Sequence, residues 1–223
     1  MQAFNHIPYV FNDPKMRRVI PILLLVLLAS FFVLRQLQKA NRYNTNRQES
    51  STESGEYVKC GQERWGIKTL SDPDTTQINF REIKPTTVSE QIQLERPEGR
   101  MEERLPSETN EYVLDCNLIG YKREKDQDFH IVVADIATGE RMVIEIASPE
   151  CESVKQSGRY EEMKAVHDWF VQNIGIPHSA FYYLPTPKEI SVTGIGYWDF
   201  LHGQTGMAAN GREIHPVLSM QLR

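Results

Sequence analysis

The chain has no Gly-x-Ser-x-Gly elbow and no glycine-rich phosphate loop, which removes the usual serine-hydrolase and nucleotide-cradling readings. Cysteine is scarce, three residues in 223, so the fold is not a disulfide-dense scaffold. Long apolar runs are scarce too: a single one excludes a polytopic membrane protein, and the length excludes a large multidomain enzyme. Basic charge is outnumbered by acidic charge over most of the chain. Up to Gln48, Lys15, Arg17, Arg18, Arg35, Lys39, Arg42 and Arg47 stand against Asp13 alone, about +6, whereas the overall balance is -5, leaving about -11 for the rest. An acidic domain of this kind repels polyanions unless a local basic groove overrides the mean, so nucleic acid is an unlikely partner.

What is present begins with that apolar run. Val19 to Leu34 is broken only by Ser30 and flanked by Arg17, Arg18 and Arg35, with Pro21 in its first turn, where a missing N–H costs least. About 16 residues is near the lower limit for a bilayer span. No Ala-x-Ala site follows it and no cysteine lies close enough for lipid attachment, so the reading is a retained single-pass anchor rather than a cleaved leader. The expected layout is a cytoplasmic segment 1–18, a transmembrane helix 19–35, a flexible linker 36–56 almost free of large apolar residues, and a folded domain 57–223. Basic residues on both flanks leave the orientation open.

Cysteine bears on the side of the membrane. Leu114, Cys116 and Leu118 share the apolar face of a strand, which makes Cys116 a buried thiol. Cys60 and Cys151 remain as the pair able to bridge, closing a loop worth on the order of 4 kcal/mol in the chain-entropy model. The alternative is two unpaired surface thiols in a reducing compartment.

Within the domain, three strands are expected at Tyr112 to Tyr121, Asp128 to Asp135 and Met142 to Ala147. A helix follows at Arg159 to Ile174, with Tyr160, Met163, Val166, Phe170 and Ile174 on one stripe, Ser157 as its cap and Gly175 with Pro177 ending it. Two more strands are expected at Glu189 to Tyr197, with a Gly194/Gly196 bulge signal, and at Glu213 to Leu222. The polar, proline-bearing stretch 81–110 reads as an irregular excursion. The fold class is therefore mainly β with one helix. The β-β-β-α-β-β order is that of a five-stranded OB-like barrel; a helix on an open sheet is the alternative.

Three segments, CGQERWGIKTLSDPD, DQDFHIVVAD and GIGYWDFLHGQTGMAANGREIHPVL, resemble a family of uncharacterised, mostly bacterial, exported proteins. Its members carry a Cys-x-x-Glu-Arg-Trp-x-x-Lys-Thr start and an HGQTG-x-A-x-N-G-x-E-x-HPVL ending. The resemblance runs from about Cys60 to the C-terminus and implies export; it brings no activity. Cys116 and the retained anchor depart from the family pattern. The strand order also resembles staphylococcal-nuclease-type domains, at the level of fold alone.

Candidate chemistry concentrates near the C-terminus, where Asp199, His202, Gln204, Asn210, Glu213 and His215 crowd together. Glu213 and His215 share the strand face opposite Ile214 and Leu218, and Asp128 and His130 share the face opposite Phe129 and Ile131; in one barrel both faces point outward. The candidate binding residues are thus Asp128, His130, Asp199, His202, Asn210, Glu213 and His215. A divalent ion on Asp199, His202 and His215 fits imidazole and carboxylate chemistry, but the spacing matches no tight metal motif, and polar turns satisfying their own backbone are the plainer reading. No catalytic residue or cofactor is assigned.

Metal-dependent phosphodiester hydrolysis on a nuclease-like fold would draw on Asp128, Asp135, Glu145 and Glu150, with Arg141 on phosphate. A binding role would use Tyr121, Tyr182, Tyr183, Tyr197 and Trp198 as stacking surfaces. The expectation is a membrane-anchored, periplasmic or otherwise extracytoplasmic binding module, with a protein or saccharide partner, rather than an enzyme. The hydrolase is the alternative.

Overall fold

The computed structural model describes residues 60–223 apart from Gln62, Arg100 and His202. The expected anchor, the linker and His202 lie outside the described residues. Among the described residues no helix is long and apolar enough to cross a membrane.

The domain is mainly β sheet with few helices. In chain order come α1 (Trp65–Lys68), a 3-10 turn at Pro73–Gln77, β1 (Asn79–Thr86), α2 (Val88–Ile92), a second 3-10 turn at Pro106–Glu108, and β2 (Asn110–Arg123). Then follow β3 (Phe129–Ala134), β4 (Arg141–Ile146), α3 (Glu152–Gln156), α4 (Tyr160–Asn173), β5 (Tyr182–Trp198) and β6 (Arg212–Leu222). The sheet has six strands in the order β1-β2-β3-β4-β6-β5, and β2 also pairs with β5. Five strands, β2 through β6, therefore hydrogen-bond in a closed circuit, with β4 and β6 parallel and the other neighbours in the circuit antiparallel.

The five expected strands and the helix fall on these elements, and the bulge expected at Gly194/Gly196 is a shift of register against β6. Three expectations need correction. The stretch 81–110 is not wholly irregular: it contains most of β1, which pairs in parallel with β2, and α2, closed by a capping box in which Thr87 accepts from Glu90 N. Strand β5 also starts seven residues earlier than the expected Glu189, because Tyr182 and Tyr183 pair with Tyr121 and Gly120 across a register shift in β2. Ser157 does not cap α4 by the usual hydrogen bond. Its hydroxyl accepts from Arg159 N and donates to Leu70 O, tying the turn before the helix to the region around α1.

Alternation in the strands makes two faces. On one face lie Phe129, Ile131, Ile144 and Ile214, all buried; Leu218, expected with Ile214, lies past the register shifts of β6 and packs instead with Leu70, Ala147 and Ile195. Helix α4 packs there: Phe170 meets Tyr121 edge-on at 5.1 Å between centroids and Phe129 at 5.7 Å, while His167 stacks on Phe129 at 4.4 Å. Each of the large apolar side chains on this face contributes about 1.5–3 kcal/mol by leaving water. Cys116 is a free, buried thiol, and burial raises its pKa, so it is inert packing. The opposite face carries the polar residues.

Candidate functional site

The polar face is built by three adjacent strands. Antiparallel pairing sets His130 of β3 opposite Glu145 of β4, and parallel pairing sets Val143 and Ile144 of β4 beside Glu213 and Ile214 of β6. Every second residue points to the same side, so Asp128, His130, Glu145, Glu213 and His215 gather on one surface. These side chains lie opposite the apolar set, as the alternation predicts, yet they do not meet solvent: all five are at least 95% buried.

Two covers explain the burial. The first is the segment from Cys60 to Leu70, fixed from three directions. A Cys60–Cys151 disulfide, with Cα atoms 5.9 Å apart and a sequence separation of 91, ties its start to the N-cap of α3. The Arg64 guanidinium forks onto Glu108 at 2.6 and 2.8 Å and donates to Trp198 O at 2.7 Å. Arg104 forks onto Asp72 and also donates to Ile67 O, holding the back of α1. Planar bidentate pairs of this kind fix direction as well as distance.

The second cover is the loop from Asp199 to Gly211, closed at its neck by Asp199 N donating to Gly211 O at 2.9 Å. The HGQTG and NG sequences have a physical reason. Gly206 has φ +82, and a Cβ there would meet Val132 of β3 at 2.3 Å; Gly211 has φ +72, and a Cβ would meet Asp199 O at 2.7 Å. Glycine lets the loop lie flat on β3. That seats Thr205 O 2.9 Å from His130 Nε2.

Glu145 is the hub. Its Oε1 lies 3.0 Å from His130 Nδ1 and its Oε2 lies 3.0 Å from His215 Nδ1. His130 therefore faces an acceptor at both ring nitrogens, which suits the doubly protonated imidazolium. Burial works against that charge, but Glu145 outweighs it and raises the His130 pKa. Burial likewise works against ionised Glu145, and His130, His215 and Lys68 together still hold its carboxyl well below the ordinary range. Asp128 behaves differently: burial dominates and pushes it up to about 6, with His215 only partly opposing. Its Oδ1 accepts from Ser148 N at 2.7 Å, while its Oδ2 stands 3.4 Å from His215 Nε2.

Several polar atoms here are left over. Asp128 Oδ2, both ring nitrogens of His215 and both carboxylate oxygens of Glu213 are buried with no hydrogen-bond partner among the described residues; the two contacts of His215 have the distance but not the direction of hydrogen bonds. Burial raises the Glu213 pKa well above its ordinary value, and the nearby charges of Glu145 and Asp199 add to it. A natural interior rarely leaves so many groups unsatisfied in one place.

A cavity of about 350 Å³ lies against this face, lined by Cys60, Gly61, Glu63, Trp65, Lys68, Glu124, Lys125, Asp126, Glu145, Asp199 and Gln204. Five acids thus meet two lysines. Lys68 Nζ sits 3.6 Å from Asp199 Oδ1 and 5.4 Å from the centre of the Tyr197 ring. Burial opposes its charge, but Glu145, Tyr197, Asp199 and Glu213 prevail and raise its pKa.

Of the seven residues expected to bind, Asp128, His130, Glu213 and His215 belong to the buried polar face and Asp199 lines the cavity. Asn210 does not face it: its amide donates to Gln91 O and Leu94 O and accepts from Arg212 N, an internal brace of the loop. The three ligand groups that converge are Asp128, Glu145 and His215, with donor atoms all within 4.8 Å of one another. Asp199 belongs to the Lys68 pair instead. The carboxylates considered for hydrolysis separate: Asp128 and Glu145 meet, Asp135 is used by the turn after β3 and by Ser89 N, and Glu150 and Arg141 are exposed. The aromatics divide as well, with Tyr121, Tyr197 and Trp198 buried and Tyr182 and Tyr183 exposed.

Lys68 and Asp126 enter the site without having been singled out for it, while Gln204 belongs to the crowded polar segment near the C-terminus. Lys68 sits in a four-residue helix with no periodic signal, and only the bridge from Cys60 to Cys151 hinted that this segment folds over the sheet. No family model, curated protein or solved structure matches the chain.

Proposed function

We propose that the protein is a membrane-anchored binding module. Residues 19–35 hold an OB-like barrel outside the cytoplasm, and the cavity between the Cys60–Lys68 segment, the turn before β3 and Glu145 of β4 takes a small polar ligand, cationic or rich in hydroxyls. The observation that carries the reading is the acidic cavity of about 350 Å³ walled by a disulfide-fixed cover. Its volume falls at the lower end of small-molecule sites, about 300–1,000 Å³.

Support for the barrel comes from the closed circuit of five strands, with the helices between β4 and β5 and with β4 parallel to β6. Support for export comes from the Cys60–Cys151 bridge, since such bonds persist in oxidising compartments. Binding is favoured over phosphodiester hydrolysis because no arginine is among the described residues lining the cavity, and Asp135, Glu150 and Arg141 lie apart from Asp128 and Glu145.

The test is a thermal-shift panel of monosaccharides, disaccharides and small amines at millimolar concentration, on full-length, chelator-treated protein in detergent. A ligand of this class raises the midpoint for wild type and loses that effect in Trp65→Ala and Lys68→Met. A panel in which nothing shifts wild type counts against the reading. For the anchor, protease added outside intact cells should remove the domain and spare the N-terminal segment.

A further inference from the structure

The leftover atoms of the polar face point to something more specific than a polar wall. Asp128, Glu145 and His215 bring three donor atoms within 4.8 Å of one another, all buried. In each carboxylate one oxygen is already held by the protein and the other is turned toward the histidine. Ser148 N holds Asp128 Oδ1, leaving Oδ2; His130 holds Glu145 Oε1, leaving Oε2. His130 is in turn fixed by Thr205 O. Metal ligands are typically oriented in this way by a second set of hydrogen bonds.

The unsatisfied atoms are an independent sign. His215 is 1% exposed, with neither ring nitrogen in a hydrogen bond among the described residues, and Asp128 Oδ2 lacks one too. Each such buried group costs about 1–3 kcal/mol unless something completes it. Charge points the same way. Glu124, Asp126, Asp128, Glu145, Asp199 and Glu213 cluster here with Lys68, Lys122, Lys125, His130 and His215, and a dication placed between the Asp128 and Glu145 carboxylates offsets their repulsion.

We propose that Asp128 Oδ2, Glu145 Oε2 and one ring nitrogen of His215 bind a single divalent transition-metal ion of the zinc class. One imidazole with two carboxylates suits zinc better than magnesium or calcium, which prefer oxygen alone. Ligand atoms around a tetrahedral zinc lie roughly 3.3–3.5 Å apart, so the donor atoms, now within 4.8 Å, draw together on one nitrogen of His215 when an ion binds. Glu145 also lines the cavity, which leaves a fourth position open toward any molecule lodged there. The metal site is distinct from binding of an organic ligand, and each stands or falls by its own measurement, since the ligand panel uses chelator-treated protein.

Full-length protein in detergent, stripped with chelator, is dialysed against Zn²⁺ and assayed for metal content, with affinity from competition against a chromophoric chelator. One zinc per chain is expected. Asp128→Asn and His215→Gln should each weaken binding by 100-fold or more, on the order of a lost ligand, and His130→Gln, which only orients Glu145, by about 10–100-fold. Glu161→Gln, exposed on the first turn of α4, should bind as wild type. Substitution by Co²⁺ reads the same site without relying on the variants: intense visible bands of a four- or five-coordinate ion support it, and the weak spectrum of hydrated or six-coordinate Co²⁺ overturns it. Failure of wild type to retain zinc, or undiminished binding in folded Asp128→Asn and His215→Gln, would also overturn it.

Discussion

The two faces of β3, β4 and β6 are built from alternate residues of the same strands, equally buried and opposite in chemistry. Phe129, Ile131, Ile144 and Ile214 lie on one side, with Phe129 against α4, and each removes apolar area from water at no electrostatic cost. Asp128, His130, Glu145, Glu213 and His215 face a cover that excludes water but leaves several of their atoms without partners. Burial alone therefore says little about what a residue does for the fold. The first face holds the domain together, and the second is held in place by it.

The largest expected effect tests the cover that the polar face depends on. Replacing Cys60 and Cys151 by serine should cost about 4 kcal/mol, as a loop of this separation implies, measured by denaturant unfolding under oxidising conditions. Nearly as large is Phe170→Ala on the apolar side, about 3–5 kcal/mol, with metal affinity of the still-folded protein unchanged. Equal loss of stability and of metal binding in that variant would erase the distinction between the faces.

Glu145→Gln breaks contacts to both histidines at once and should cost about 3 kcal/mol in chelator, a little less than the core truncation. The smallest effect lies away from both faces. Asp168 is held down to about 2, chiefly by His167, with Lys164 adding to it. Its folded pKa lies below the ordinary 3.8, so its contribution is present above that value and disappears as pH falls through about 2. Because the side chain is about a third exposed, Asp168→Asn should cost no more than about 0.5 kcal/mol at pH 6, and nothing near pH 2, in paired acid-unfolding curves.

The apolar face was legible in the sequence because two-residue alternation and the helical stripe of α4 are local patterns, and so was the disulfide, once Cys116 fell on a strand's apolar side. Strand β1 was not legible: it is an edge strand, mostly exposed, and its residues Asn79–Thr86 carry charges on both sides and a proline. The early part of β5 was hidden by Pro185 and Pro187. At the site, alternation placed Asp128 with His130 and Glu213 with His215 correctly. What it could not supply was the strand order. Glu145 becomes the hub only because β4 lies between β3 and β6, a long-range fact that no spacing within the chain encodes. Of the grouping Asp199, His202 and His215, His202 lies outside the described residues, Asp199 pairs with Lys68 and His215 joins Asp128 and Glu145.

Glu213 allows the sharpest comparison, because it sits on the same face as Glu145, is as deeply buried, and has no hydrogen-bond partner among the described residues. If the polar face is retained for binding rather than for stability, replacing that carboxyl by an amide of the same shape should do no harm. The direct measurement is the unfolding free energy of Glu213→Gln against wild type at neutral pH in chelator. The account predicts a stability equal to wild type or above it. A loss of about 3 kcal/mol or more, the signature of a broken buried pair, would contradict it.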